Sequence, residues 1–140
     1  MYGRGVTLAR LDTGDVLHLR IHQGPRYRRA ADELAEQLHG SHADELETLL
    51  MLALAPDLVD LSRAEASPTV KVEMPGRLTP TDTSSPNYSR SGSYGDPTLA
   101  TRAKGEVLLA AMVDDLTEQA TVFLASKNES TELKHRSVSK

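Results

Sequence analysis

The feature that most constrains this chain is a run in its middle, LETLLMLALA, which extends from Leu46 to Ala55. The run has the length of a short helix, and its leucines and methionine cover nearly the whole helical circumference. A helix that is apolar on all sides must be buried, either inside its own domain or against a partner subunit. The rest of the fold must therefore supply surfaces that cover this helix.

Size and composition are those of one soluble domain. The chain has 140 residues and no cysteine, which excludes disulfides and thiolate metal sites. Its net charge of −4 gives no reason to expect nucleic acid as a partner, because nucleic-acid binding usually requires a basic face. We see no run of transmembrane length and no signal-peptide pattern, so we expect a cytoplasmic protein with no membrane partner.

Hydrophobic periodicity predicts three strands and three helices. The strands are Val6–Leu11, Val16–Ile21 and Thr69–Met74, and the first two form a hairpin. The helices are Arg28–Leu38, Leu46–Ala55 and roughly Leu99–Ala125. Together these elements predict an α/β fold, a mixed sheet with flanking helices. We expect one domain at residues 1–126 and a disordered polar tail at 127–140.

The polar residues at the helix ends suggest how the helices begin. Ser41 and Thr98 are placed to cap the second and third helices. Four acids, which we interpret as solvated side chains, lie in the first turn of the second helix or within the third: Asp44, Glu45, Asp114 and Asp115.

A histidine and a glutamate five positions apart, His42 and Glu47, stand at the start of the apolar helix. An imidazole and a carboxylate can serve one reaction centre as metal ligand, general base or proton shuttle. Inside one helix, five residues separate two side chains by about 140° around the axis. The pair therefore converges only if His42 lies in the loop before the helix and Glu47 in its second turn. The alternative is a surface histidine beside an outward-pointing acid.

Two blocks of the sequence resemble those of a known family. Residues 41–59 (SHADELETLLMLALAPDLV) are similar to the motif His-Ala-Gly-x-x-Glu-Thr-Ser followed by an apolar helix and Pro-x-Leu-Val. Residues 91–106 (SGSYGDPTLATRAKGE) are similar to Ser-Gly-x-x-Gly-Asp-Pro-x-x-Ala-x-x-x-Lys-Gly. Both motifs are those of the creatininase family of metal-dependent amidohydrolases, and the resemblance covers roughly residues 41 to 119. Asp44 and Leu49 stand where the family has glycine and serine.

This resemblance implies an activity and a site. The implied reaction is hydrolysis of C–N bonds in small cyclic amides or related substrates, with zinc or manganese as the metal. His42 resembles the catalytic acid/base, and Glu47 a metal ligand or the residue that orients metal-bound water. The segment Tyr94, Gly95 and Asp96 resembles a substrate loop at the active-site entrance. The implied fold is the C-terminal part of a three-layer α/β/α domain.

Other family motifs are missing from the sequence. The family's Glu-x-His pair, its Leu-Gly-x-Asp segment and its Asn-Gly-His-Gly-Gly-Asn loop supply most of the metal ligands, and none occurs here. The chain therefore resembles a C-terminal half, a shortened copy that we expect not to retain the metal alone. The alternative is a non-catalytic remnant or interaction subunit that assembles with itself or a full-length relative. Family members form hexamers, which implies a homo-oligomer here, and an active chain would take a small-molecule amide as its substrate.

Overall fold

Three α-helices dominate the part of the protein that the structure describes. A computed structural model describes residues 17–67, 81–85 and 88–138. Its helices are α1 (Pro25–Leu34), α2 (Glu45–Leu54) and α3 (Arg102–Val138). Short 3-10 turns lie at Pro56–Leu58, Leu61–Arg63 and Pro97–Leu99. Both α1 and α2 pack against α3, which is their common partner. Among the described residues, no helix has the length and apolarity needed to cross a membrane.

The predicted mixed α/β sheet is wrong for this part of the molecule. Residues 17–21, from the predicted strand Val16–Ile21, form no strand. Within the described ranges, the one β-type pairing is an isolated antiparallel bridge between His42 and Tyr94. The other predicted strands, Val6–Leu11 and Thr69–Met74, lie outside the described residues. Apolar side chains are buried here where the helices pack on one another. The short alternation of apolar and polar residues at 17–21 therefore does not indicate a strand with one buried face.

The hydrophobic core lies where α1 and α2 meet α3. Leu49 of α2 and Leu108 of α3 have no exposed surface. On the other side of α2, Met51 and Leu54 are 41% and 61% exposed, so the described residues cover this apolar helix only in part. The buried cluster is formed by nine residues: Tyr27, Ala30, Ala31, Leu49, Leu50, Leu52, Ala100, Leu108 and Met112.

Helix α1 receives its N-terminal cap from α3. Gly24, at the cap position, has no side chain to offer, and Pro25 follows it at the first helical position. The carboxylate of Asp115 accepts hydrogen bonds from Tyr27 N–H at 2.8 Å and Arg26 N–H at 3.3 Å. Burial favours a higher pKa for Asp115, but these bonds and the Arg26 guanidinium outweigh burial and lower the pKa. Asp115 is therefore a buried structural acid and not a solvated one, whereas Asp114 is exposed.

The distant cap also explains why the predicted bounds of α1 are wrong. The helix begins at Pro25 instead of Arg28, because Asp115 satisfies its first free N–H groups. It ends at Leu34, before the predicted end at Leu38. Beyond that point the N–H groups of Glu36 and Gln37 donate to the carboxylate of Glu45, at 2.8 and 2.9 Å. The chain leaves the helix to make these two bonds.

Helix α2 is confirmed, although its cap is Asp44 and not Ser41. The Asp44 carboxylate accepts from Glu47 N–H at 2.9 Å, as an N-cap residue does. Asp44 is 5% exposed and Glu45 is fully buried, so the interpretation of both as solvated acids is wrong.

Helix α3 begins later and ends later than predicted. Thr98 lies in the 3-10 turn at Pro97–Leu99, where its hydroxyl pairs with Asp96. Thr101 instead accepts from Lys104 N–H at 3.3 Å, and α3 starts at Arg102. The backbone stays helical to Val138, beyond the predicted end at Ala125. The division into a domain at 1–126 and a disordered tail concerns order in solution and stays a prediction.

Gly105 allows the backbones of α2 and α3 to touch. A Cβ atom at this position would lie 1.9 Å from the Leu49 carbonyl oxygen, so no side chain fits without moving a helix.

We expect Gly105→Ala to lower the free energy of unfolding by about 2 kcal/mol, because overpacking outweighs the gain of roughly 1 kcal/mol in helix propensity. Thr117→Ala, at an exposed position of the same helix, should be neutral or slightly stabilising. Urea denaturation measures both, and equal stabilities for the two variants would refute the close approach.

Candidate functional site

His42 and Glu47 converge in the structure. His42 lies in the loop before α2, as required, and Glu47 is the third residue of the helix, so it belongs to the first turn and not the second. His42 Nδ1 is 3.5 Å from Glu47 Oε2. Both side chains are about half exposed, at 49% and 54%, so the pair is open to solvent and to small molecules.

Ala43, which follows His42, has an uncommon backbone conformation. Its φ is +43°, the left-handed region that side chains other than glycine seldom adopt. Its N–H donates to Glu47 Oε2 at 2.6 Å, and its carbonyl accepts from Ser93 Oγ at 3.0 Å. The left-handed turn brings His42 back over the helix start.

The predicted substrate loop does lie beside His42, but through its backbone. Ser41 N–H donates to the Tyr94 carbonyl and Tyr94 N–H to the His42 carbonyl, both at 2.8 Å. The Tyr94 side chain is 3% exposed and so does not form an open entrance. Asp96 accepts from Thr98 N–H at 3.0 Å, which commits its carboxylate to the turn before α3. The structure thus joins the two sequence blocks without placing Tyr94 or Asp96 in an open cavity.

Gly95 and Gln37 hold this segment against the start of α2. Gly95 has φ +150°, and a Cβ there would lie 2.5 Å from Gln37 Oε1 and 2.6 Å from Asp44 Cβ. The Gln37 amide accepts from Asp96 N–H and Glu45 N–H, each at 3.1 Å, and donates to Asp44 at 2.9 Å. Sequence reasoning missed Gln37, because its three partners, Asp44, Glu45 and Asp96, lie 7, 8 and 59 positions away and leave no local signal.

A cleft of about 400 Å³ opens beside the pair. Glu47 and Ala43 line it on one side, and Ser91, Ser93 and Pro97 of the second block line it on another. Its charged residues are Glu47, Asp60, Arg63 and Glu65, so acids predominate. A larger cleft, of about 680 Å³, lies between residues 17–28 and α3, away from His42 and Glu47. We assign the site to the smaller cleft because it contains Glu47.

A buried ion pair connects the start of α2, which carries Glu47, to α3. Glu45, fully buried, accepts from Lys104 Nζ at 2.6 Å, and Lys104 also pairs with Glu36. Burial favours a higher pKa for Glu45, but the bonds from Lys104 and from the N–H groups of Gln37 and Glu36 outweigh burial and lower the pKa. The Lys-Gly pair of the second block was the one available signal for this ion pair, but it does not indicate that Glu45 is the partner of Lys104.

Comparison with known proteins agrees with the motif blocks that meet here. A family model described as creatininase, creatinine amidohydrolase, matches residues 7–120. The chain belongs to the creatininase family. The motif resemblance begins at Ser41, and the family match begins well before that residue. Family membership indicates an amidohydrolase type of function. Neither a curated protein nor a solved structure gave a match.

The creatininase family is generally metal-dependent, but the described residues do not fit a metal. Across the described ranges, no group of three or more His, Cys, Asp or Glu is arranged to hold an ion. His42 and Glu47 offer two ligands where a zinc site needs at least three from the protein, and Glu47 Oε2 already accepts from Ala43 N–H.

The low pKa of Glu45 leads to a test at acid pH. Folding stabilises the ionised form, so the contribution of Glu45 is present above its usual pKa of 4.5 and is lost as the pH falls through the lower folded-state value. We expect Glu45→Gln to lower unfolding free energy at pH 7 by about 3 kcal/mol, because Lys104 loses a buried partner.

The variant should also show a shallower loss of stability below pH 4.5 than the wild type. Denaturant unfolding at several pH values measures both effects. Asp115, whose pKa is also lowered, is unchanged in the variant, so the difference between the two profiles isolates Glu45. Asp114→Asn, at an exposed acid, is the control. Parallel acid profiles for wild type and Glu45→Gln would argue against this role.

Proposed function

We propose that this chain contributes an acid–base pair to the hydrolysis of C–N bonds in small cyclic amides or related substrates. The observation that carries the proposal is the 3.5 Å approach of His42 Nδ1 to Glu47 Oε2 at the edge of a cleft of about 400 Å³. A cleft of this volume lies within the range that holds small molecules.

Each residue of the pair has a role in this proposal. Cleavage of a C–N bond requires a proton on the departing nitrogen, and a histidine is the side chain best suited to deliver it near neutral pH. Glu47 orients the His42 imidazole, since its Oε2 atom lies 3.5 Å from His42 Nδ1. The exposure of both side chains supports the proposal, because a substrate can reach them without a change in the fold.

The identity of the metal and the extent of the enzyme belong to the same proposal. His42 and Glu47 are the candidate ligands that the family motif indicates, and two ligands are too few for a closed site, so we propose that zinc or manganese binds weakly to the chain alone. Because three family motifs are absent from these 140 residues, we propose that the sequence corresponds to a C-terminal half and that further metal ligands lie outside it. A cytoplasmic location rests on the sequence alone and stays part of the proposal.

Glu47→Gln tests the acid–base pair. It should lower hydrolysis of creatinine and other cyclic amides by 100-fold or more in millimolar zinc or manganese, because it removes the charge that orients His42. Asp57→Asn, at an exposed acid outside the cleft, should retain the wild-type rate. Melting curves with and without metal show whether each variant folds and whether metal stabilises it.

We expect elemental analysis to find little metal after dialysis. Stoichiometric zinc or manganese at that stage would contradict weak binding. If wild type and Glu47→Gln hydrolyse nothing and melt alike with or without metal, the enzyme proposal fails.

The second candidate is a non-catalytic interaction subunit, which an exposed apolar surface favours. Met51, Leu58 and Leu61 line the cleft and are 41%, 79% and 43% exposed. Large exposed apolar patches are typical of protein contacts. On this alternative, the cleft is covered by a second copy of the chain or by a full-length relative, and His42 and Glu47 need no substrate.

Sedimentation tests self-association. We expect the wild type to form oligomers at micromolar concentration and Leu58→Asp to shift it towards the monomer, since a charge would be buried in the contact. Leu38→Asp is the matched control, because Leu38 is 89% exposed and lies outside the cleft. A monomeric wild type would exclude the self-assembling form of this alternative.

A further inference from the structure

Hydrogen bonds hold both backbone polar groups of Ala43. Its N–H donates to Glu47 Oε2 at 2.6 Å, and its carbonyl accepts from Ser93 Oγ at 3.0 Å. Ala43 is the one non-glycine residue with positive φ in the described part of the chain. Such a conformation persists only where surrounding contacts impose it. The two hydrogen bonds are those contacts.

This conformation determines where the imidazole lies. His42 precedes Ala43, and Glu47 follows at the start of α2, so rotation about the Ala43 backbone moves His42 relative to the helix. Relaxation of Ala43 to a common negative φ would carry His42 Nδ1 away from the 3.5 Å approach to Glu47. It would also break the bond between Ala43 N–H and Glu47.

Ser93 is itself well fixed for this task. It is 5% exposed, its carbonyl accepts from Ser89 Oγ at 2.6 Å, and its N–H donates to Ser91 Oγ at 3.3 Å. The next residue, Tyr94, donates through its N–H to the His42 carbonyl at 2.8 Å. The second block therefore contacts both peptide units that flank the left-handed turn.

We propose that Ser93 is a positioning residue that keeps His42 and Glu47 together by holding the Ala43 carbonyl. Its importance for hydrolysis rests on the proposed function, whereas its effect on the backbone does not. It acts through Ala43 and need not touch the substrate. The motif resemblance gave no hint of it, because the family pattern leaves this position unspecified.

Amide hydrogen exchange at Ala43, measured by NMR, tests the proposal without any substrate. Ser93→Ala should speed exchange of the Ala43 amide roughly tenfold, the factor that corresponds to loss of one partly buried hydrogen bond. Ser93→Thr, which keeps the hydroxyl, should restore slow exchange. Ser84→Ala is the control, because Ser84 is exposed and its hydroxyl donates to Asp82, outside this network. Glu47→Gln should also speed exchange, since an amide is a weaker acceptor than a carboxylate.

The outcomes separate this proposal from the proposed function. Unchanged exchange at Ala43 in Ser93→Ala would overturn the positioning role, whatever the hydrolytic rate. Faster exchange in a chain that hydrolyses no amide would support the positioning role and count against the enzyme. If the chain is active, kcat should fall in Ser93→Ala and recover in Ser93→Thr. Should Ser93→Ala fail to fold, Ser93→Cys, similar in shape but a poor donor, should show the same faster exchange.

Discussion

The ion pair between Glu45 and Lys104 connects α2, α3 and the segment that follows α1. Glu45 begins α2, Lys104 lies in the first turn of α3, and the N–H groups of Glu36 and Gln37 reach the same carboxylate from the segment after α1. Lys104 also donates to the Leu99 carbonyl at 3.1 Å. Removing one partner would leave a desolvated charge, which costs several kcal/mol. The start of α2, and with it the position of His42, therefore depends on this pair.

Carboxylates hold the irregular segments together in place of a sheet. Loops that lie against a core must find partners for their N–H groups, and in a sheet neighbouring strands would supply them. Here, acidic side chains supply much of that acceptor capacity. Five of them accept backbone N–H groups around the site and the start of α1: Asp44, Glu45, Glu47, Asp96 and Asp115. The acids around the site and at the start of α1 are thus structural acceptors of backbone N–H groups.

Sequence reasoning succeeded where the signal was local. The apolar run predicted α2. A separation of five residues, about 140° around a helix, required His42 to lie in the loop, as the structure has it. It failed where the partner is distant. Asp115 caps a helix from 88 positions away, and nothing near Tyr27 reveals this. The predicted sheet failed because alternation over residues 17–21 is too short to distinguish a strand from an irregular segment beside helices.

The contact at Gly105 bears on how a family resemblance should be interpreted. The glycine is needed because the Leu49 carbonyl lies where its side chain would be, and this requirement is independent of any reaction. A lineage that lost its activity but kept the crossing of α2 and α3 would still be selected for glycine at this position. A match to the Lys-Gly element of the second block therefore indicates that the crossing of α2 and α3 is shared with the family. It does not indicate that the activity is shared. Whether the chain keeps a catalytic activity is better judged from positions where packing does not fix the residue type, such as the half-exposed His42.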